Sequence, residues 1–143
     1  LVRDEFLTGL LELTETEGWT VWISSHDIEE VERFADRVAI LNAGRIDLEE
    51  DVDALQARFR EIEMVFEEKV PAIEAAPDWM NLRAAGRSAR FIDSKFEGEA
   101  SLAKLREQFP AAQRVNQRSM SLREIFVELA RNYRLTENRE EVA

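Results

Sequence analysis

The side chain best suited to proton chemistry near neutral pH is His26, the single histidine among 143 residues. An imidazole changes its charge between about pH 5 and 8, so it can donate a proton, accept one or bind a ligand. It follows an apolar run, Val21-Trp22-Ile23, and two serines. A lone histidine in such a place is more often structural than catalytic. Its role therefore has to be judged from the surrounding pattern.

Other common chemistries find little support in the sequence. We find no Ser/His/Asp triad, and the absence of cysteine excludes disulfides, thiolate zinc sites and cysteine nucleophiles. An acidic cluster could suggest calcium, but it lacks the central glycine and the distal glutamate of a calcium loop. We interpret it as a solvated turn followed by a helix N-cap. Its members are Asp47, Glu49, Glu50, Asp51 and Asp53.

Positive charge concentrates in the second half of the chain, where aromatic side chains lie nearby. Some RNA-binding domains stack bases on the aromatic residues of such a sheet. Their glycine- and aromatic-dense strand motif is missing here, so we interpret the phenylalanines as core and the arginines as solvated. The net charge of −11 also argues against a nucleic-acid partner and against adsorption to anionic lipid. The residues concerned are Arg83, Arg87, Arg90, Arg114, Arg118, Phe91 and Phe96.

The composition, 45% hydrophobic and 34% charged, is typical of a soluble globular protein with one ordinary domain or two small ones. No apolar run approaches the roughly 18–20 residues of a membrane-spanning helix, so we expect no direct membrane insertion. We expect no signal peptide, because the acidic amphipathic start of the sequence has no basic n-region and no cleavage site. Because residue 1 is Leu and a helical pattern begins at once, we expect a piece of a longer protein.

Several predicted elements of the first half surround His26. A helical periodicity ends at Gly18, the kind of residue found just past a helix C-terminus. The segment from Thr20 to Ser24 is β-branched and aromatic, which predicts a strand covered on both faces. A short helix capped by Asp27 follows. The remaining predictions are a buried strand at 38–41, a turn at 42–44, an antiparallel return at 45–48 and a helix at 52–59.

From about residue 60 the pattern changes to alternating apolar and charged residues, typical of half-exposed strands. Pro71 and Pro77 predict the start and end of a short helix, and Ser121 with Glu124 predicts a capping box. The order β-α-β-β-α-β followed by a terminal helix is ferredoxin-like. We interpret the three tryptophans, Trp19, Trp22 and Trp79, as packing residues.

Residues 22–46, WISSHDIEEVERFADRVAILNAGRI, resemble the end of the ATP-binding domain of ABC transporters. In that family a buried strand ends in a switch-loop (H-loop) histidine. A helix rich in glutamate follows, then a strand of the R-V/I-x-I/V-L type and a turn with glycine before a basic residue. The resemblance places the switch histidine at His26, and it matches the helix and hairpin positions at Glu30, Ala35, Asp36, Arg37 and Gly44. Residues 1–6 resemble the helix that follows the family's D-loop.

This resemblance implies that His26 contacts the γ-phosphate of ATP in the complete protein, as its catalytic and cofactor-binding residue. It implies ATP and Mg²⁺ as cofactors of that protein, a homodimer with a second ATPase subunit, and a transmembrane permease as partner. The implied location is cytoplasmic, at the inner face of the cell membrane through the permease. The family often carries Gly-Thr or Gly-Ser where this chain has Glu50-Asp51.

The family's phosphate loop, its magnesium-binding Asp-Glu and its Ser-Gly-Gly signature do not occur in this sequence. We therefore expect this chain alone to bind no cofactor and to be inactive as an ATPase. The strands that flank Thr20–Ser24 in the family's fold are missing as well. We expect the first 58 residues to pair with a second copy, exchange elements with it or rearrange locally.

The segment S-L-R-E-I-F-V-E-L at residues 121–129 resembles the end of the small domain appended to many bacterial drug- and antibiotic-export ABC ATPases. The predicted architecture is thus α/β, or α+β for the fragment. It comprises a C-terminal piece of a P-loop NTPase fold at residues 1–59, a ferredoxin-like accessory domain at 60–135 and a flexible tail at 136–143. The alternative is an autonomous protein-interaction or dimerisation module without nucleotide chemistry.

Overall fold

The computed structural model describes the backbone of residues 2–140 and the side chains of residues 5–29 and 31–133. The fold is mixed α and β, and both of its sheets are antiparallel. In the first half, a long helix and a short one precede a two-stranded hairpin and a third helix. The bounds are α1 Val2–Glu17, α2 Ile28–Phe34, β1 Arg37–Asn42, β2 Arg45–Asp51 and α3 Val52–Arg58.

The hairpin of β1 and β2 confirms the predicted turn at residues 42–44. Ala43 and Gly44 both adopt positive φ angles, 45° and 79°, as a two-residue hairpin turn of the type I′ class requires. The strands pair in an antiparallel register, from Arg37 opposite Asp51 to Asn42 opposite Arg45. The hairpin leads directly into α3, whose first N–H, at Val52, donates to the Asp36 carbonyl at 2.9 Å.

The predicted strand from Thr20 to Ser24 is wrong: residues 18–27 form neither helix nor strand. A strand needs a partner for its backbone groups, and β1 pairs with β2 on its one bonded edge. Trp22 is 83% exposed and Trp19 59%, so the prediction that these two tryptophans pack inside is wrong for this chain as well. An apolar segment of this kind is buried only where other strands cover it, and no strand of the described residues covers residues 20–24.

The second half forms a four-stranded sheet in the order β4-β5-β3-β6, with one helix on each face. Its elements are β3 Arg60–Phe66, β4 Trp79–Ala85, β5 Ser88–Asp93, α4 Glu99–Gln108, β6 Ala112–Ser119 and α5 Leu122–Glu140. The last helix thus extends into the segment 136–143 that was predicted as a flexible tail, and residues 141–143 lie outside the described part of the chain.

The predicted helix between Pro71 and Pro77 is wrong, because residues 67–78 contain no helix. Pro77 disfavours the helical conformation of the residue before it, and the few residues between the two prolines are too short to sustain a helix alone. The segment instead lies along the sheet. The Val70 N–H donates to the Gly86 carbonyl at 3.0 Å, and Val70 and Ile73 pack against the core.

Two apolar cores result from this arrangement. One lies between the four-stranded sheet and α4, where Trp79 stacks on Phe91 with ring centroids 4.0 Å apart, which confirms packing roles for both. The other lies where α5 meets α3, β1 and the end of β5. Its buried members are Val38, Val52, Leu55, Phe59, Ile92, Met120, Leu122, Ile125 and Leu129.

Candidate functional site

His26 is exposed and lies two residues before the start of α2. The local chain is bent there: the Asp27 N–H donates to the Ser25 hydroxyl oxygen at 3.0 Å, and the Val31 N–H donates to the Asp27 carbonyl at 3.2 Å. Among the side chains that the structure describes, none forms a hydrogen bond or ion pair with the imidazole. The backbone is therefore held on one side of His26, while the ring itself remains available to a ligand.

Helix α2 connects this exposed ring to a buried core. Ile28, Val31 and Ala35 are partly buried and pack against the core cluster around α5. The Ala35 N–H donates to the Val31 carbonyl at 2.9 Å and so closes the last turn. A helix of seven residues is too short to be stable alone, so this packing is what maintains it.

The other described residues of the resemblance lie in the hairpin and in the short link between α2 and β1, and none of them bonds to His26. Arg37 forms ion pairs with Glu49 at 3.3 Å and with Asp51 at 3.6 Å. Ala35 packs in the core, Asp36 accepts the backbone bond from Val52, and Gly44 occupies the turn. The side chain of Glu30 lies outside the described residues.

Several members of the acidic cluster pair with a basic or amide side chain nearby. Glu50 pairs with Arg58 at 2.8 Å, and Asp47 accepts a hydrogen bond from the Asn42 amide at 2.8 Å. Several acidic residues line a concave surface of about 500 Å³ between α2 and α3. His26 does not line this surface. Within residues 5–29 and 31–133, no group of His, Asp and Glu side chains is arranged to hold a metal ion.

The capping box predicted at the start of α5 is confirmed. The Ser121 N–H donates to the Glu124 carboxylate at 2.8 Å, and the Glu124 N–H donates to the Ser121 hydroxyl at 3.2 Å. Arg118 bridges the same carboxylate, at 3.0 Å, to Glu61 of β3, at 2.6 Å. The Arg118 guanidinium, followed by the Ser121 N–H, lowers the pKa of Glu124 below its ordinary value. α5 is thereby fixed to the sheet at its first turn.

Arg118 was interpreted as solvated, and its bridging role is what sequence reasoning missed. Pairing of β3 with β6 places Glu61 opposite Arg118, a relation visible only once the strand register is known. Arg90 similarly pairs with Glu63 across strands at 2.6 Å, which lowers the pKa of Glu63. Phe91 is buried, so its prediction as a core residue is confirmed.

The chain is similar to part of the energy-coupling factor transporter ATP-binding protein EcfA from Methanothermobacter thermautotrophicus. The two are 51% identical over 43 residues, which cover 30% of this chain and 14% of that protein's length. This partial match supports an ABC ATPase fragment. No family model matches the chain, and no solved structure matches it. In the part of the chain that the structure describes, no helix is both long and apolar enough to cross a membrane.

Proposed function

We propose that this chain is the C-terminal portion of the ATP-binding subunit of an ABC transporter, whose complete protein couples ATP hydrolysis to transport. The observation that carries this proposal is the 51% identity with a transporter ATP-binding protein over 43 residues. ATP and Mg²⁺ would bind mainly to residues outside this chain. A second ATPase subunit and a permease at the cytoplasmic face of the membrane would complete the assembly.

The proposed role of His26 is to donate a hydrogen bond from its imidazole to the transferring phosphate or to the attacking water. Its exposed ring and the absence of a described side-chain partner support this role, because a ring already engaged in the fold could not meet a ligand. The anchored helix α2 supports it further, since a catalytic group needs a defined position.

The uncovered apolar segment before His26 supports the view that the rest of the domain lies elsewhere. Trp19, Trp22 and Ile23 are 59%, 83% and 54% exposed, and Phe6 of α1 is also largely exposed. Neighbouring apolar residues of this size on a protein surface usually mark an interface. Strands of the remainder of the ATP-binding domain would cover them.

Residues 60–135 would form a ferredoxin-like accessory domain with a regulatory or dimer-stabilising role, following the fragment at 1–59 and preceding a tail at 136–143. The four-stranded antiparallel sheet and the helix between β5 and β6 support the ferredoxin-like proposal. The irregular segment at residues 67–78 departs from it, because that architecture has a helix there.

An autonomous interaction module is the second candidate, and the exposed tryptophans favour it equally, since a partner protein could cover them. The sequence immediately upstream of Leu1 separates the two. An Asp-Glu after an apolar run, followed by Leu-Asp-Pro, would support the ATPase proposal, and the absence of both would support the interaction module.

Calorimetric titration of this chain with ATP and Mg²⁺ tests the fragment proposal directly. We expect no tight binding, because the phosphate loop and the magnesium-binding carboxylates are missing from the sequence. Magnesium-dependent ATP binding with a micromolar dissociation constant would contradict the proposal.

A further inference from the structure

Helix α2, which follows His26, and the last helix α5 share one apolar core although about 90 residues separate them in sequence. Ile28 and Val31 of α2 pack against a cluster that includes the buried residues Ile125 and Leu129 of α5. The α2 helix has seven residues, so its stability depends on this contact. The position of the exposed histidine is thus tied to the C-terminal half of the chain.

Two polar bridges reinforce the same contact. Arg123, in the first turn of α5, donates to the Glu29 carboxylate at 2.7 Å, and Glu29 lies in the first turn of α2, three residues after His26. On the other side, the Gln56 amide of α3 donates to the Glu32 carboxylate at 2.6 Å and to the Met120 carbonyl at 3.4 Å. The two bridges therefore contact the first and the last turn of α2.

Arg123 lies in the first turn of α5, which is itself attached to the four-stranded sheet. The capping box of Ser121 and Glu124 and the ion pair of Arg118 with Glu61 attach the first turn of α5 to the sheet. A displacement of the sheet would therefore move Arg123, and Arg123 would transmit it to Glu29. Side-chain ion pairs thus lead from the sheet to Glu29, and the three-residue backbone step from Glu29 back to His26 completes the path.

We propose that Arg123 is a positioning residue for His26, and that the C-terminal half controls the switch histidine through the contact between α5 and α2. This inference rests on the proposed function for the meaning of His26, but the physical coupling can be measured without ATP. Loss of the Arg123 contact would loosen the first turn of α2 and widen the range of positions of the imidazole.

The single histidine makes His26 a clean NMR probe of this coupling in the 143-residue chain. We expect Arg123→Met to shift the His26 imidazole resonances and to increase hydrogen exchange at the Val31 amide by up to about fivefold, the range of an exposed ion pair. Arg131→Met is the matched control, because Arg131 pairs within α5, with Glu128 at 2.6 Å. It should leave both signals unchanged.

Exchange of the charges tests whether the pair itself is responsible. The double variant Glu29→Arg with Arg123→Glu should return the His26 resonances towards those of the parent chain, whereas each single variant should not. Identical His26 spectra and Val31 exchange in Arg123→Met and Arg131→Met would overturn the proposal. A double variant no closer to the parent chain than the single variants would overturn it as well.

Kinetics of the complete ATPase separate this inference from the proposed function. With the coupling and the function both correct, Arg123→Met lowers kcat by up to about fivefold while the KM for ATP stays unchanged. If His26→Ala leaves turnover intact while the NMR coupling is present, the proposed function fails and the coupling stands. If the NMR coupling is absent, the inference fails whatever the activity.

Discussion

Truncation of Ile125 is the sharpest test of the shared core between the two halves of the chain. Its side chain is completely buried, and it belongs to the cluster that joins α5 to α3 and β1, with α2 packed against it. Removing a buried isoleucine side chain down to alanine costs about 2–5 kcal/mol from lost apolar burial and the cavity left behind. Against a total stability of about 5–15 kcal/mol, this is a large fraction.

The assay is urea denaturation of Ile125→Ala followed by circular dichroism and by the fluorescence of Trp79. Trp79 lies in the other core, stacked on Phe91, and it becomes the only tryptophan once Trp19 and Trp22 are replaced by phenylalanine. Val127→Ala is the control, because Val127 lies on the same helix and is 41% exposed. We expect Ile125→Ala to lower the urea midpoint strongly when it is followed by either probe. The control should lower the free energy of unfolding by less than about 1 kcal/mol. A cost for Ile125→Ala as small as that of Val127→Ala would refute the shared core.

Two further predictions concern the pH dependence of stability. Burial raises the pKa of Asp93, so its charged form destabilises the fold above that pKa. We expect Asp93→Asn to stabilise the chain at pH 7, because the amide oxygen can still accept the Lys95 N–H bond without a buried charge. The gain in free energy of unfolding should vanish below about pH 4. Denaturant titrations at both pH values measure this gain, and a gain independent of pH would contradict the prediction. The pKa of Glu124 is lowered instead, chiefly by Arg118, so its contribution is present above the ordinary pKa of glutamate and is lost as the pH falls. Glu124→Gln should therefore lower the free energy of unfolding by about 0.2–1 kcal/mol at pH 7. The same titrations should show this loss shrink at acidic pH, and a loss that grows on acidification would contradict the prediction.

Local patterns in the sequence were sufficient where the contacts are local. The turn at Ala43 and Gly44 and the capping box of Ser121 and Glu124 join residues that are close in sequence, and both are confirmed. The short helix predicted directly after His26 is confirmed as α2, and it too follows from its immediate neighbours. In each case the residues whose types predict the feature are the same residues that form it.

The sequence failed where the partner of a segment is distant in sequence or where residues 2–140 provide none. The apolar segment from Thr20 to Ser24 has the composition of a buried strand, yet no strand of residues 2–140 pairs with it. The contact of Arg123 with Glu29 joins residues far apart in sequence, so no spacing rule could find it. Pro71 and Pro77 were given helix-bounding roles, whereas the need to cover the sheet determined the conformation between them.

The central claim, that His26 acts on the γ-phosphate in a complete ABC-type ATPase, is tested most directly by the turnover of the His26→Ala variant of that protein. We expect kcat for ATP hydrolysis to fall by about 100-fold or more, since a positioned proton or hydrogen-bond donor contributes at least this much in the transition state. Nucleotide affinity should change little, because the proposed hydrogen bond strengthens at the transferring phosphate in the transition state. An unchanged kcat in a correctly folded His26→Ala protein would contradict the account and would leave His26 a structural residue.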